Sequence, residues 1–259
     1  MVEKHMVRVR EAEIEYFVEG SGDVVVLVPG FGVDVNYFKY LSSRLADDGF
    51  CAVAVNPRGV GGSSESTEDL TLHTYGADVA AVIETLDCGP VHVLGHAYVN
   101  RITRCLAVDR PELIRSLILL AAPGSAKAAD PEVASALANW TRDDATEAEC
   151  IEVLELMVGD PATAPSIWRQ LRRDAAFARE QSAALRTPPI DYYEGGGDKP
   201  LFIVQGLADR SAPPENARQL HDRFPARVRL VEMAGVGHMP FLEQPETVAD
   251  ALLSFLQEQ

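Results

Sequence analysis

The sequence is poor in cysteine and contains no cysteine pair at a spacing typical of metal or redox sites. Its four cysteines in 259 residues are scattered along the chain, at Cys51, Cys88, Cys105 and Cys150. Without a CxxC pair, a cysteine-based metal site or a disulfide framework is not expected. The simplest interpretation is a chain with reduced thiols in the cytoplasm.

Long apolar runs are missing as well. No stretch of about 18 consecutive apolar residues occurs, so no membrane-spanning helix is expected. Residues 1–10 are charged and lack an apolar centre, which argues against a signal peptide. The sequence therefore predicts a protein without a membrane partner.

Positive charge is scarce relative to negative charge. The chain has 23 lysine and arginine residues against 39 aspartate and glutamate residues, which gives a formal net charge of −16. Such a surface repels the phosphate backbone of nucleic acids and anionic membranes. A small-molecule substrate is the expected partner, and the oligomeric state stays open, a homodimer included.

Short apolar runs that alternate with helical segments dominate the rest of the chain, and 47% of the residues are hydrophobic. A hairpin is predicted at 7–9 and 14–18, and buried strands are predicted at 24–28, 51–55, 91–94, 117–120, 201–204 and 228–231. Helices are predicted at 37–46, 71–86, 98–108, 214–222 and 245–256. This alternation predicts an α/β fold with a mostly parallel, doubly wound sheet.

The alternation stops between the fourth and fifth of these buried strands, where residues 124–196 contain no convincing strand. Helical stretches are predicted there at 131–140, 145–157 and 165–184. We expect residues 1–123 and 197–259 to form the core, and residues 124–196 to form an inserted helical lid with a glycine hinge at 195–197. Trp140 and Trp168 are the lid side chains predicted to contact substrate.

Polar and glycine-rich motifs follow the predicted strands in a fixed order. They are Gly30-Phe-Gly32, Arg58-Gly-Val-Gly-Gly-Ser63, Gly95-His-Ala-Tyr-Val99, Asp209 and His238. Together they resemble the α/β-hydrolase superfamily over nearly the whole chain, with the order of nucleophile, acid and histidine found there. The resemblance implies the α/β-hydrolase fold, with a site at the carboxyl ends of the strands.

The resemblance also assigns roles to individual residues. The backbone N–H groups of Phe31, beside Gly30, and of Tyr98 would form an oxyanion hole. His96 would support the turn called the nucleophile elbow. Asp209 would hold the imidazole of His238 in one tautomer and stabilise its charged form.

The elbow departs from the family pattern at its most important position. Ala97 stands where the nucleophile belongs, and Val99 stands where glycine is usual. A methyl group cannot attack a carbonyl carbon, so an acyl-enzyme route is unavailable to this chain. The valine needs room between helix and strand, so a shifted or strained elbow is expected.

Several functions remain open. The chain is either a hydrolase whose serine was lost naturally or by engineering, or a serine-free enzyme in which the His238–Asp209 dyad is a general base. Such an enzyme would act on a small, mostly apolar ester, lactone or activated C–C bond. Alternatively it would remove a proton, as cofactor-independent dioxygenases, lyases or cyclases do. A third alternative is a protein that binds a small molecule without catalysis.

Two further classes are not supported by the sequence. Epoxide hydrolases and dehalogenases of this fold need an aspartate at the elbow, which Ala97 excludes. Nothing resembles a metal site or a dinucleotide-binding loop, so neither a metal nor a cofactor is expected.

Overall fold

The computed structural model describes residues 2–65, 70–184, 187 and 195–259. Its centre is a sheet with the strand order β1-β2-β4-β3-β5-β6-β7-β8. The strands are β1 Glu3–Val9, β2 Ala12–Gly20, β3 Asp23–Val28, β4 Phe50–Val55, β5 Val91–His96, β6 Ile114–Leu120, β7 Leu201–Gly206 and β8 Val228–Met233. β1 and β2 pair antiparallel, as do β2 and β4, and the other neighbours are parallel. The predicted α/β-hydrolase fold with its mostly parallel sheet is therefore confirmed.

Helices fill the connections between the strands. They are α1 Lys39–Asp47, α2 Leu72–Leu86, α3 Val99–Asp109, α4 Pro131–Trp140, α5 Glu147–Met157, α6 Ala164–Trp168, α7 Ala175–Ala184, α8 Pro214–Arg223, α9 Pro240–Glu243 and α10 Pro245–Leu256. Local chemistry fixes some of their ends. The hydroxyl of Thr71, for example, accepts the backbone N–H of Thr74 and so caps the start of α2.

The sheet is buried on both faces, and successive residues of one strand show this. In β3, Val25 and Leu27 pack into one core, whereas Val26 and Val28 pack into the core on the other face. Because strand side chains alternate between faces, a continuous run of valine and leucine fits a strand covered by helices on both sides. Within the described ranges, no helix has both the length and the apolarity needed to cross a membrane.

The predicted helix at 165–184 is wrong in one respect, because the structure has two helices there, α6 and α7. The segment between them pairs with the loop that follows β3 instead of continuing the helix. The N–H of Asp34 donates to the carbonyl of Arg172 at 3.3 Å, and the N–H of Asp174 donates to the carbonyl of Gly32 at 2.9 Å. Val33 and Arg173 form an antiparallel bridge between these two contacts. The tertiary pairing with the loop thus replaces helical hydrogen bonds.

Residues 58–63, the second motif of the sequence, stabilise the core and do not line the cavity described below. The guanidinium of Arg58 binds both carboxylate oxygens of Asp78, at 2.7 and 2.9 Å, and both side chains are almost fully buried. Hydrogen bonds to Asp78 and Glu11 raise the pKa of Arg58, so this charge is fixed. The hydroxyl of Ser63 donates to the carbonyl of Asn56 at 2.7 Å and closes the loop.

Candidate active site

The elbow keeps its sharp turn although it lacks a nucleophile. Ala97 follows the last residue of β5 and has a φ of 51°, in the left-handed region that non-glycine residues seldom adopt. Its N–H donates to the carbonyl of Leu120 at 2.9 Å, which ties the turn to the end of β6. Position 97 therefore projects at the carboxyl edge of the sheet, as expected from the sequence.

The residues after the turn accommodate the departures from the family pattern. Val99 is fully buried and packs in the core beside the sheet, so its two methyl groups find room. The side-chain amide of Asn100 donates to the carbonyl of Leu120 at 2.9 Å. Arg104 donates to the carbonyl of Pro123 at 2.8 Å. These bonds hold the first turns of α3 against the loop that follows β6.

Asp209 and His238 lie together although 29 residues separate them, and Nδ1 of His238 is 2.9 Å from Oδ2 of Asp209. The exposed fractions of their side chains are 0% for Asp209 and 6% for His238. A carboxylate can only accept, so Nδ1 carries the proton, and Nε2 is the ring nitrogen that can act as a base. The backbone N–H of His238 donates to the carbonyl of Met157 at 2.8 Å.

The carboxylate of Asp209 is held by further donors from its own loop and strand. The N–H groups of Ser211 and Ala212 each donate to Oδ1 at 2.8 Å. The amide of Gln205 donates to Oδ2 at 3.2 Å, and its carbonyl oxygen accepts the N–H of Ala122 at 3.1 Å. Because several donors fix both oxygens, the carboxylate stays aimed at the imidazole.

His96 connects two loops of the site through a chain of hydrogen bonds. Its Nε2 lies 2.8 Å from the carbonyl oxygen of His238, which can only accept, so Nε2 carries the proton. Nδ1 then accepts from the hydroxyl of Tyr37 at 3.3 Å, and that hydroxyl in turn accepts the N–H of Gly30. Burial, with a smaller contribution from nearby His238, lowers the pKa of His96 to about 3, so His96 is neutral.

These groups surround a cavity of about 260 Å³. Gly30, Phe31, His96, Ala97, Tyr98 and His238 all line it. Most of the remaining wall is apolar and includes Val33, Leu137, Trp140, Leu154, Met157 and Met239. A mostly apolar cavity with a few convergent polar groups is typical of a small-molecule site.

The two tryptophans predicted to contact substrate lie in different places. Trp140 lines the cavity, and its indole N–H donates to the carbonyl of Phe31 at 3.0 Å. Trp168 does not line it, which corrects the prediction for that residue. It packs edge-on against Trp140 instead, with ring centroids 6.2 Å apart. Trp168, in the short helix α6, therefore lies outside the cavity wall to which Trp140 belongs.

Three residues that contribute to the site were not singled out from the sequence. Arg101 lines the cavity from α3, and its place in the first turn of the helix after the elbow could have indicated this. Gln205 was detectable as a lone amide in an apolar strand. Tyr37 gave no signal, because its partners, Gly30 after β3 and His96 at the end of β5, come near it only in the fold.

Within the described ranges, no group of three or more histidine, cysteine, aspartate or glutamate side chains is arranged to hold a metal ion. The prediction that no cofactor takes part rests on the sequence alone.

The chain is similar to known proteins over nearly its whole length. Residues 25–251 match the model of the alpha/beta hydrolase family. BpoC of Mycobacterium tuberculosis strain H37Rv, which carries the name of a non-heme bromoperoxidase, is 27% identical over 93% of this chain and 97% of its own. Among solved structures, an esterase from Exiguobacterium antarcticum has a TM-score of 0.83 at 21% identity, covering 97% of this chain and 98% of its own. The enol-lactonase from Burkholderia xenovorans LB400 has a TM-score of 0.82 at 20% identity, covering 98% and 100%.

Proposed function

Because the chain belongs to the alpha/beta hydrolase family, we propose that it is an enzyme acting on a small, mostly apolar carbonyl compound, with the His238–Asp209 dyad as general base. An ester, a lactone or an activated C–C bond is the expected target. The observation that carries the proposal is the 2.9 Å contact between His238 and Asp209 beside a cavity that position 97 also lines. Esterases and a lactonase among the structural neighbours are consistent with it.

The proposed reaction uses water in place of a serine. His238 takes a proton from water through Nε2 as the water oxygen bonds to the carbonyl carbon. The N–H groups of Phe31 and Tyr98 stabilise the resulting oxyanion, which needs no side chain at position 97. The protonated imidazole, stabilised by Asp209, then returns the proton to the leaving oxygen as the bond to carbon breaks.

The segment 124–196 is proposed to cover this site as a lid, and part of it lies outside the described residues. Three observations support the proposal. Leu137 of α4 and Leu154 of α5 line the cavity. The indole N–H of Trp140 donates to the carbonyl of Phe31 in the loop of residues 30–32, named the oxyanion loop for its proposed role. The carbonyl of Met157 accepts the N–H of His238, so the insert also contacts the base.

A second candidate is removal of a proton from the substrate itself, without hydrolysis. The apolar wall favours it, since such a wall limits the water available for attack. The same oxyanion hole would stabilise the enolate. Hydrolysis and proton removal share His238 and differ only in whether water enters the product.

The first experiment measures turnover of aryl esters, lactones and acidic ketones by the wild-type protein and by His238→Gln. Loss of turnover in the variant is expected for at least one substrate. His221→Gln, which removes a histidine that does not line the cavity, is the matched control. Incorporation of oxygen from labelled water into the product identifies hydrolysis, and deuterium exchange without cleavage identifies proton removal.

Two results would contradict the proposal. Equal turnover in wild type and His238→Gln would remove the base from the mechanism. Tight binding of a carbonyl compound that stays unchanged over hours, with no exchange, would identify a binding protein instead.

A further inference from the structure

Arg101 brings a positive charge to the wall of the cavity. It lies near the start of α3, and its N–H donates to the carbonyl of Tyr98 at 3.1 Å. Ala97 and Tyr98 line the same cavity, whose volume is about 260 Å³. The Arg101 side chain therefore shares this small cavity with position 97 and with the expected place of the reacting carbonyl.

Arg101 belongs to a cavity wall that is mostly apolar. No aspartate or glutamate is among the described residues that line the cavity, and His96 is neutral. Nε of Arg101 is shielded from solvent, which strengthens electrostatic interactions there. Arg101 has other contacts within the protein, and its several N–H donors allow it to keep them while binding a ligand.

An arginine in an apolar wall favours an anion of matching shape. A guanidinium binds a carboxylate through two parallel hydrogen bonds, and charge-assisted bonds of this kind are stronger than neutral ones. The net charge of −16 repels anions at long range, so this preference must come from contact inside the cavity.

Building on the proposed function, we propose that the substrate carries a carboxylate a few carbon atoms from its reacting carbonyl, and that Arg101 binds this carboxylate. The apolar side chains of the lid would contact the carbon chain between the two groups. The substrate class is thus a half-ester, lactone acid or keto acid with a short aliphatic spacer.

The test compares levulinic acid and its next two longer homologues with their primary amides, which have the same shape without the charge. Binding is measured by ligand-observed NMR with wild type, Arg101→Gln, Arg101→Lys and Arg110→Gln. For at least one spacer length, wild type is expected to bind the acid about tenfold or more tightly than the amide. Arg101→Gln is expected to lose this preference while its affinity for the amide is unchanged, and Arg101→Lys to keep part of it. Arg110→Gln removes an exposed arginine from the end of the same helix and should behave as wild type.

Equal affinity of wild type for acid and amide at every spacer length would overturn the proposal, with no variant needed. A preference for the acid that survives in folded Arg101→Gln would also overturn it. These ketones need no turnover, so the binding result does not depend on His238 chemistry. Conversely, His238-dependent turnover of neutral esters without any preference for acids would leave the proposed function intact and refute only the role of Arg101.

Discussion

Replacing Ala97 by serine tests whether the site is built for nucleophilic attack. The backbone at position 97 already has a φ of 51°, so alanine and serine bear a similar conformational strain. The substitution adds one oxygen atom to a cavity that His238 also lines. Asp209 already orients the imidazole at 2.9 Å. The variant would then combine a serine hydroxyl, an imidazole and a carboxylate at one cavity.

The size of the expected gain follows from how such sites work. Nucleophile, base and acid act as a unit, and removal of the serine from an intact triad costs up to about 10⁶ in kcat. A serine restored to a well-placed elbow need recover only part of this. We expect ester hydrolysis to rise at least about a hundredfold, which corresponds to about 2.7 kcal/mol of transition-state stabilisation.

The assay measures kcat/KM and the pre-steady-state burst with aryl esters of short acyl chains. A burst of phenol equal to the enzyme concentration would identify an acyl-enzyme in Ala97→Ser. The double variant Ala97→Ser with His238→Gln should lose the gain. Ala121→Ser is the matched control, because Ala121 is also buried with a φ of 51° but does not line the cavity.

The reasoning fails if folded Ala97→Ser shows neither a burst nor a rise in turnover with any ester or lactone. The serine oxygen would then not be within reach of the imidazole or of the carbonyl. The left-handed turn at position 97 would no longer indicate a site built for attack. Proton removal or ligand binding would become the better interpretation of the cavity.

Three further predictions concern stability, measured by urea denaturation. Tyr37→Phe should cost about 1–3 kcal/mol, because the hydroxyl bridges the oxyanion loop and His96, whereas Tyr40→Phe, at an exposed position, should change stability by less than about 0.5 kcal/mol. The pKa of His96 falls from 6.5 to about 3 on folding, so between these two pH values only the unfolded chain takes up this proton. Stability should therefore decrease as the pH falls, by about 1.4 kcal/mol per pH unit, and His96→Gln should flatten this slope; an unchanged slope would contradict the burial argument. Arg58→Ala should cost about 3–5 kcal/mol by leaving the carboxylate of Asp78 buried alone, and replacing Asp78 by asparagine as well should recover part of that loss.

The sheet could be predicted from the sequence because its strands are short apolar runs bounded by glycine and proline. The continuous valine and leucine residues at 24–28 indicated a strand covered on both faces, and β3 is such a strand. Strand ends were less accurate. β5 extends to His96, since its pairing with β6 continues past the apolar run that the sequence shows.

The insert was harder to predict, because its shape depends on contacts with the core. Periodicity favoured one helix at 165–184, yet Asp174 and Arg172 pair with the loop after β3. A hydrogen bond to a distant segment leaves no periodic signal in the sequence. The same reason explains why Trp168 was misplaced, since helical spacing cannot show which aromatic side chain reaches the cavity.

The candidate site combines two energetically costly features, and their coincidence is informative. Ala97 holds a left-handed backbone conformation that costs a residue with a Cβ atom about 1–2 kcal/mol. Asp209 holds a carboxylate with no exposed side-chain surface, whose lost hydration is offset by N–H donors from Ser211, Ala212 and His238. Packing alone requires neither feature. Glycine at position 97 would relieve the backbone strain, and an apolar residue at position 209 would avoid burying a carboxylate. Strain and a buried ionisable pair at one cavity are typical of functional sites. The coincidence of the elbow and the dyad at one cavity therefore supports the proposed chemistry at a carbonyl group, in which the N–H of Tyr98 and the ring of His238 would take part and the side chain at position 97 would not.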